Sequence, residues 1–217
     1  TLCSCLTTHA VLQFRYQQKR SRLADGNRWG VYPHRVMDRK HPLVTGVNTR
    51  FDVPHSRFNE IFPEQFDQAG LKTLVVSEDG DVHLAVSEDG FRLIFFQGHP
   101  EYDSISLLKE YKREVGRYID HEVDKYPPFP ENYFSLKCQA ILEEYQAQVE
   151  TALTNKIKPP VFPEHLIIPH LDNTWHDTAE AIINNWIGKV YQLTNTDRHI
   201  PFNQDIDPDD PLGLNQS

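Results

Sequence analysis

The stretch Phe91–Asp103 reads FRLIFFQGHPEYD. It opens as a short apolar and aromatic run, which fits a strand buried on both faces. The run breaks at Gly98 and leaves His99 and Glu101 just past the strand's carboxyl end, where open α/β sheets place ligands and catalytic groups. A histidine and a carboxylate two residues apart on an extended segment point to the same side. Glu101 can then hold one tautomer of His99, the orienting role in a base–orienter pair. H-x-E is a common tripeptide, so the motif gains weight only from a partner elsewhere.

That partner is Cys5, in TLCSCLTTHAVLQF at the other end of the chain. Thr1 to Ser4 fit the end of a strand, and Leu6, Ala10, Val11 and Phe14 recur on one helical face. Cys5 therefore falls at a strand-to-helix junction, the geometry of a nucleophile elbow. A helix N-terminus favours the negative charge of a thiolate. The glycines that commonly flank such an elbow are absent, since Ser4, Leu6 and Thr7 surround the cysteine. A buried, inert cysteine is the alternative. A Cys–His–Glu set assembled from two strand ends favours the nucleophile.

Further blocks are Gly30-Val31-Tyr32, Pro54-His55-Ser56-Arg57, Asn132-Tyr133-Phe134, and Asn185-Trp186 followed by Val190-Tyr191-Gln192. With TLCSC and GHPEYD they resemble the homoserine O-acyltransferase family of methionine biosynthesis, the branch built on the class I glutamine-amidotransferase fold. The resemblance spans nearly the whole chain, and PHSR followed by GHPEYD is its specific part. It implies an α/β fold: the C-terminal part of a flavodoxin-like, doubly wound sheet with an α-helical C-terminal extension. The corresponding division is 1–125 for the sheet domain, 126–203 for the extension and 204–217 for an acidic tail.

The resemblance also implies a chemistry, acyl-coenzyme A-dependent O-acylation of L-homoserine through an acyl-cysteine. The donor is succinyl- or acetyl-coenzyme A, a co-substrate, and no other cofactor is expected. Alternatives are L-serine as acceptor, or a hydrolase or glutamine amidotransferase using the same three residues. By resemblance Cys5, His99 and Glu101 are catalytic and the Leu6 N–H gives half of an oxyanion hole. Ser56 then contributes to the amino-acid pocket and Arg113 binds the substrate carboxylate. The family's lysine three residues before Gly-Val-Tyr is Asn27 here, with Arg28 next to it as a substrate-binding candidate. Several strands and helices precede the nucleophile in the family, whereas this chain starts four residues before it. The missing half is expected from the same gene or from another chain, in a homodimer.

The 217 residues carry a formal net charge of −9, and an acidic chain without a basic stripe argues against nucleic acid. No apolar run approaches the roughly 20 residues of a membrane span, and no signal-peptide pattern is present. Cys3, Cys5 and Cys138 are sparse and odd in number, which fits a reducing cytoplasm. Cys3-x-Cys5 lacks a second ligand pair at zinc-like spacing, so no metal is expected.

Lys19, Arg20, Arg22 and Arg28, near a turn at Asp25-Gly26, suit either coenzyme phosphates or a solvated helix end. Gly30 to Met37 reads as a strand, Val44 to Phe51 as a short strand or loop, PHSR as a loop, and Pro63 to Gly70 as a brief helix. The strands KTLVV, DVHLAV and FRLIFF are separated twice by Ser-Glu-Asp-Gly, which predicts two hairpin turns. Helical spacing covers Ile105 to Val123, which bears Arg113, then Gln139 to Leu153 and Asn173 to Leu193. Pro127, Pro128 and Pro130 mark a linker, and Pro159 to Pro169 reads as extended. The segment Gln204–Asp210 lacks core-forming residues and is expected to be disordered.

Overall fold

The computed structural model describes residues 1–214 apart from Asp25 and Arg198. The Asp25 half of the expected turn and the last three residues of the tail lie outside the described residues. In chain order the elements begin with β1 (Leu2–Ser4), α1 (Leu6–Tyr16), β2 (Ser21–Arg22) and β3 (Arg28–Val36). After a 3-10 turn at Pro42–Val44 come β4 (Arg50–Arg57), β5 (Asn59–Glu60), α2 (Pro63–Gln68), β6 (Lys72–Ser77), β7 (Val82–Val86) and β8 (Ile94–Phe96). Four helices follow: α3 (Ser106–Ile119), α4 (Leu136–Thr154), the short α5 (Glu164–Ile167) and α6 (His176–Leu193).

The chain divides into two compact units, one comprising Thr1–Arg28, Tyr32–Glu101 and the chain from Thr174 on. Its sheet has the order β1-β8-β7-β6-β3-β4, with β2 and β5 forming a separate pair. β1 runs parallel to β8, with Ser4 opposite Phe96. β8, β7 and β6 form an antiparallel meander, and β6 is antiparallel to β3. This is the expected α/β class with a mixed sheet. Every residue of β7 and β8 is buried, because both faces are covered. Val82, Ala85 and Phe95 join Cys3, Leu12 of α1 and Phe66 of α2. Leu84, Val86, Ile94 and Phe96 join Val53, Leu74 and Ile182 of α6 on the other face. Burying a phenylalanine is worth roughly 1.5–3 kcal/mol, so Phe95 and Phe96, both fully buried, pin the strand end that leads into Gly98.

Several local expectations change. PHSR lies inside β4 rather than on a loop; β4 is the last strand in the sheet order, and an edge strand tolerates a proline. The strand expected over FRLIFF contracts to Ile94–Phe96, since Phe91 and Arg92 belong to the turn in which both backbone N–H groups bind Asp89 Oδ1. On α1 the buried residues are Thr8, His9 and Leu12, while Leu6 and Phe14 are exposed. The polar pair is buried because each finds a partner: Thr8 bonds the Phe96 carbonyl and His9 bonds Gln97. The acidic tail is ordered by turns over its described part, and Ile206 and Leu212 pack against Phe91, Leu193 and Phe202.

The other unit comprises Trp29–Val31 and Tyr102–Asn173. Helix α3 buries Leu107, Leu108, Tyr111 and Val115, and α4 buries Cys138, Leu142, Tyr145, Val149 and Ala152. Tyr111 packs edge-on against Phe134 and Phe162. The proline-rich segment expected to be extended instead contains α5 and a 3-10 turn at Ile168–His170. Gly30 explains its own place in the Gly-Val-Tyr block: a Cβ there would lie 2.2 Å from the Glu131 carbonyl oxygen. Its absence lets Glu131 N–H bond Trp29 O and Val31 N–H bond Glu131 O.

Candidate active site

Cys5 is the N-cap of α1 and has φ 45° and ψ −109°. A non-glycine residue with positive φ is uncommon, and such strain persists only where the surroundings fix it. Here the carbonyl of Phe96 fixes it, accepting from Cys5 N–H at 2.8 Å and from Thr8 Oγ1 at 2.7 Å. The level register of β1 and β8 thus brings the cysteine turn beside the loop that follows β8. Leu6, the first residue of α1, presents one of the first-turn N–H groups that a helix does not pair internally.

On that loop His99 Nδ1 lies 2.8 Å from Glu101 Oε1. The contact is made across a turn at Pro100-Glu101 rather than along an extended segment. With Nδ1–H given to the carboxylate, Nε2 is left for the Cys5 side chain, which also hydrogen-bonds the ring. Burial opposes the charged ring, yet these bonds and the nearby negative charges win, raising His99 to about 9. Burial likewise opposes the Glu101 charge, but the bond from His99 holds the carboxyl below the usual range. The structure therefore brings Cys5, His99 and Glu101 together.

The other sequence candidates stand differently. Ser56 is half-buried in β4. Two residues earlier in that strand, the Pro54 carbonyl accepts from His99 N–H at 2.9 Å. Arg28 opens β3 rather than ending a helix, and its guanidinium binds Asp81 and, at 3.2 Å, Asp79. Arg113 lies on α3 in the other unit, exposed and paired with Glu114 at 3.1 Å.

Sequence reasoning missed the residues that set the loop. Ser4 Oγ lies 2.9 and 3.1 Å from the two Glu101 oxygens and 3.2 Å from the Gly98 carbonyl. Gln97, fully buried, donates to the carbonyls of Ile61 and Val82 and accepts from Ile61 N–H and His9. Gly98 N–H faces His83 Nδ1 at 3.4 Å, and a Cβ on Gly98 would lie 2.6 Å from Val53 and 3.0 Å from His55. None of these contacts follows a spacing rule, because each joins residues at least 15 positions apart that the fold brings together.

His34, His55 and His83 are buried with their ligating nitrogens all within 4.8 Å of one another, the kind of cluster that can hold a metal. Two of them are tied into a relay that runs on to Arg57, while His83 Nδ1 faces the Gly98 N–H. His34 Nδ1–H donates to Tyr32 O at 2.8 Å, so its Nε2 accepts from His55 Nε2–H at 3.2 Å. His55 Nδ1 in turn faces the Arg57 Nε–H at 3.4 Å. Burial keeps all three rings neutral, with His34 lowered to about 4 and the other two pushed well below the ordinary value. The Arg57 guanidinium beside the relay is itself paired with Glu60 at 3.2 Å and Asp81 at 3.5 Å.

Comparison with known proteins places the chain in a family. A family model described as homoserine O-succinyltransferase matches residues 1–196. The chain belongs to that family. A homoserine O-succinyltransferase from Nitrosococcus oceani is 69% identical over 214 residues, 99% of this chain and 60% of the relative. Proteins of the same name from Thioalkalivibrio nitratireducens and Allochromatium vinosum are each 63% identical, over 98% and 99% of this chain. The chain spans about 60% of the length of the curated relatives it matches. Among solved structures, a glutamine amidotransferase from Thermotoga maritima aligns with TM-score 0.47 and 12% identity, covering 87% of this chain and 60% of that one. One from Methylobacillus flagellatus aligns with TM-score 0.49 and 15% identity, covering 86% and 61%. In this chain TLCSC supplies the elbow, GHPEYD the His–Glu pair, and PHSR lies on the strand whose Pro54 carbonyl holds the His99 backbone.

Proposed function

We propose that the protein of which this chain is part transfers a succinyl group from succinyl-coenzyme A to the hydroxyl of L-homoserine, a step of methionine biosynthesis, with Cys5 as the covalent carrier. The observation that carries this reading is the strained Cys5 at a helix start, bonded to a His99 that Glu101 orients, in a chain of this family. The succinyl donor rests on the relatives' names. By family resemblance Arg113 receives the acceptor's carboxylate and Ser56 its amino end. Arg28 stays outside this reading, since Asp79 and Asp81 take its charge.

In the first half-reaction the Cys5 thiolate attacks the thioester carbonyl, and the Leu6 N–H donates to the developing oxyanion. The C–S bond to the coenzyme breaks, and the leaving sulfur takes the proton of the His99 imidazolium. A ring raised to about 9 is charged at neutral pH and ready to give that proton. Acylation then removes the sulfur's hydrogen bond and negative charge, two of the causes that raise His99. With those two causes gone the ring holds its proton less tightly and can act as the base of the second half-reaction. It takes the proton of the homoserine hydroxyl, whose oxygen attacks the acyl-cysteine. Collapse releases the O-acyl product and restores thiolate and imidazolium.

The test is mass spectrometry of the full-length protein after incubation with succinyl-coenzyme A alone. A succinyl adduct on the peptide bearing Cys5, discharged by homoserine, is expected, with ping-pong kinetics. Turnover without any adduct would remove the covalent route. Discharge by serine and not by homoserine would overturn the acceptor.

A further inference from the structure

Ser4 ends β1 immediately before the cysteine elbow, and its side chain does not point into the apolar cluster around Cys3. Its hydroxyl reaches Glu101 instead, 2.9 Å from Oε2 and 3.1 Å from Oε1. Glu101 needs such a partner. Its side chain is 51% exposed and stands on a turn, and a free glutamate there samples several rotamers, most of which leave His99. His99 takes Oε1 at 2.8 Å, so a donor on Oε2 fills the other half of the carboxylate. Because Ser4 faces Phe96 across the parallel pair, this bond also joins the strand that carries the nucleophile to the loop that carries the base. Gly98 O, 3.2 Å from the same oxygen, is the competing acceptor for its single proton.

We propose that Ser4 is a positioning residue for acyl transfer: its hydroxyl fixes the Glu101 carboxylate on His99 and acts on the reaction only through that carboxylate. The inference rests on the acyl-Cys5 reading given above. It makes a statement that packing alone does not: the effect of losing the hydroxyl must vanish once Glu101 can no longer serve as a carboxylate.

The experiment is a double-mutant cycle in the full-length protein, reading the single-turnover rate of Cys5 acylation by succinyl-coenzyme A. Ser4→Ala is expected to slow acylation about tenfold, the worth of one hydrogen bond to a charged group. Ser4→Thr, which keeps the hydroxyl, is expected to restore most of the rate. In a Glu101→Gln background Ser4→Ala is expected to cost less than about twofold, since coupled residues are not additive. An equal loss in both backgrounds would overturn the proposal, as would an unchanged rate in Ser4→Ala. If Ser4→Ala fails to fold, Ser4→Cys replaces it in both backgrounds and is read by the same criterion. A wild-type protein that forms no adduct sinks the acyl-Cys5 reading instead, so the two failures are distinguishable.

Discussion

At the scale of single residues, the site depends on one imidazole ring held between two side chains, Cys5 and Glu101. Two causes raise His99, the Cys5 sulfur and the Glu101 carboxylate, and they can be separated. Replacing Glu101 by glutamine removes the carboxylate's bond and charge while keeping its shape, so the ring should titrate well below about 9, toward 6.5. An NMR titration of the His99 ring in Glu101→Gln reads this directly; an unchanged value would mean that the carboxylate does not act on the ring. Turnover should fall in the same variant, because an amide does not stabilise an imidazolium. Cys5, His99 and Glu101 were legible in the sequence, as each sits where an apolar run changes character. Ser4, Gln97 and His83 were not. Their roles come from the parallel pairing of β1 with β8 and from the meander, which bring together residues from 15 to 97 positions apart, and no local pattern records that.

At the scale of elements, the loop after β8 is set from one side by β4. His99 N–H bonds the Pro54 carbonyl, and Gly98 leaves no room for a side chain against Val53 and His55. Gly98→Ala should therefore force either β4 or the loop to move. Overpacking of this kind costs about 1–3 kcal/mol, and the shift falls on the residue before the base. The expected outcome is a moderate loss of stability in urea with a larger loss of acylation rate; full activity at wild-type stability would show that the space is not needed. The sequence made PHSR a loop because proline biases the residue before it away from helix, and it could not see that the stretch is a strand at a sheet edge. The Ser-Glu-Asp-Gly turns were read correctly, since turn chemistry is local. The face of α1 was misread because periodicity counts apolar residues, whereas Thr8 and His9 are buried by their hydrogen bonds.

At the scale of the molecule, the histidines give stability a dependence on pH with two limbs. Burial lowers His9, His34 and His41 to about 4, and pushes His55 and His83 well below the ordinary value. An unfolded imidazole takes its proton near 6.5. Below that pH the unfolded chain binds more protons than the folded one, so stability is full above it and is lost as pH falls toward 4. Each ring contributes about 1.4 kcal/mol per pH unit across its window; three rings give roughly 4 kcal/mol per unit, large beside a typical total of 5–15 kcal/mol. His99 acts in the opposite sense. Its folded value of about 9 lies above the unfolded one, so its contribution is present below 6.5 and disappears as pH rises through 9. The urea midpoint of the protein should therefore peak near neutral pH, fall steeply from 6.5 toward 5, and fall gently toward 9. In Glu101→Gln the alkaline limb should flatten while the acid limb stays, because none of the five neutral rings is bonded to that carboxylate. A midpoint constant from pH 7 to 5 would show that these rings are not held neutral in the fold.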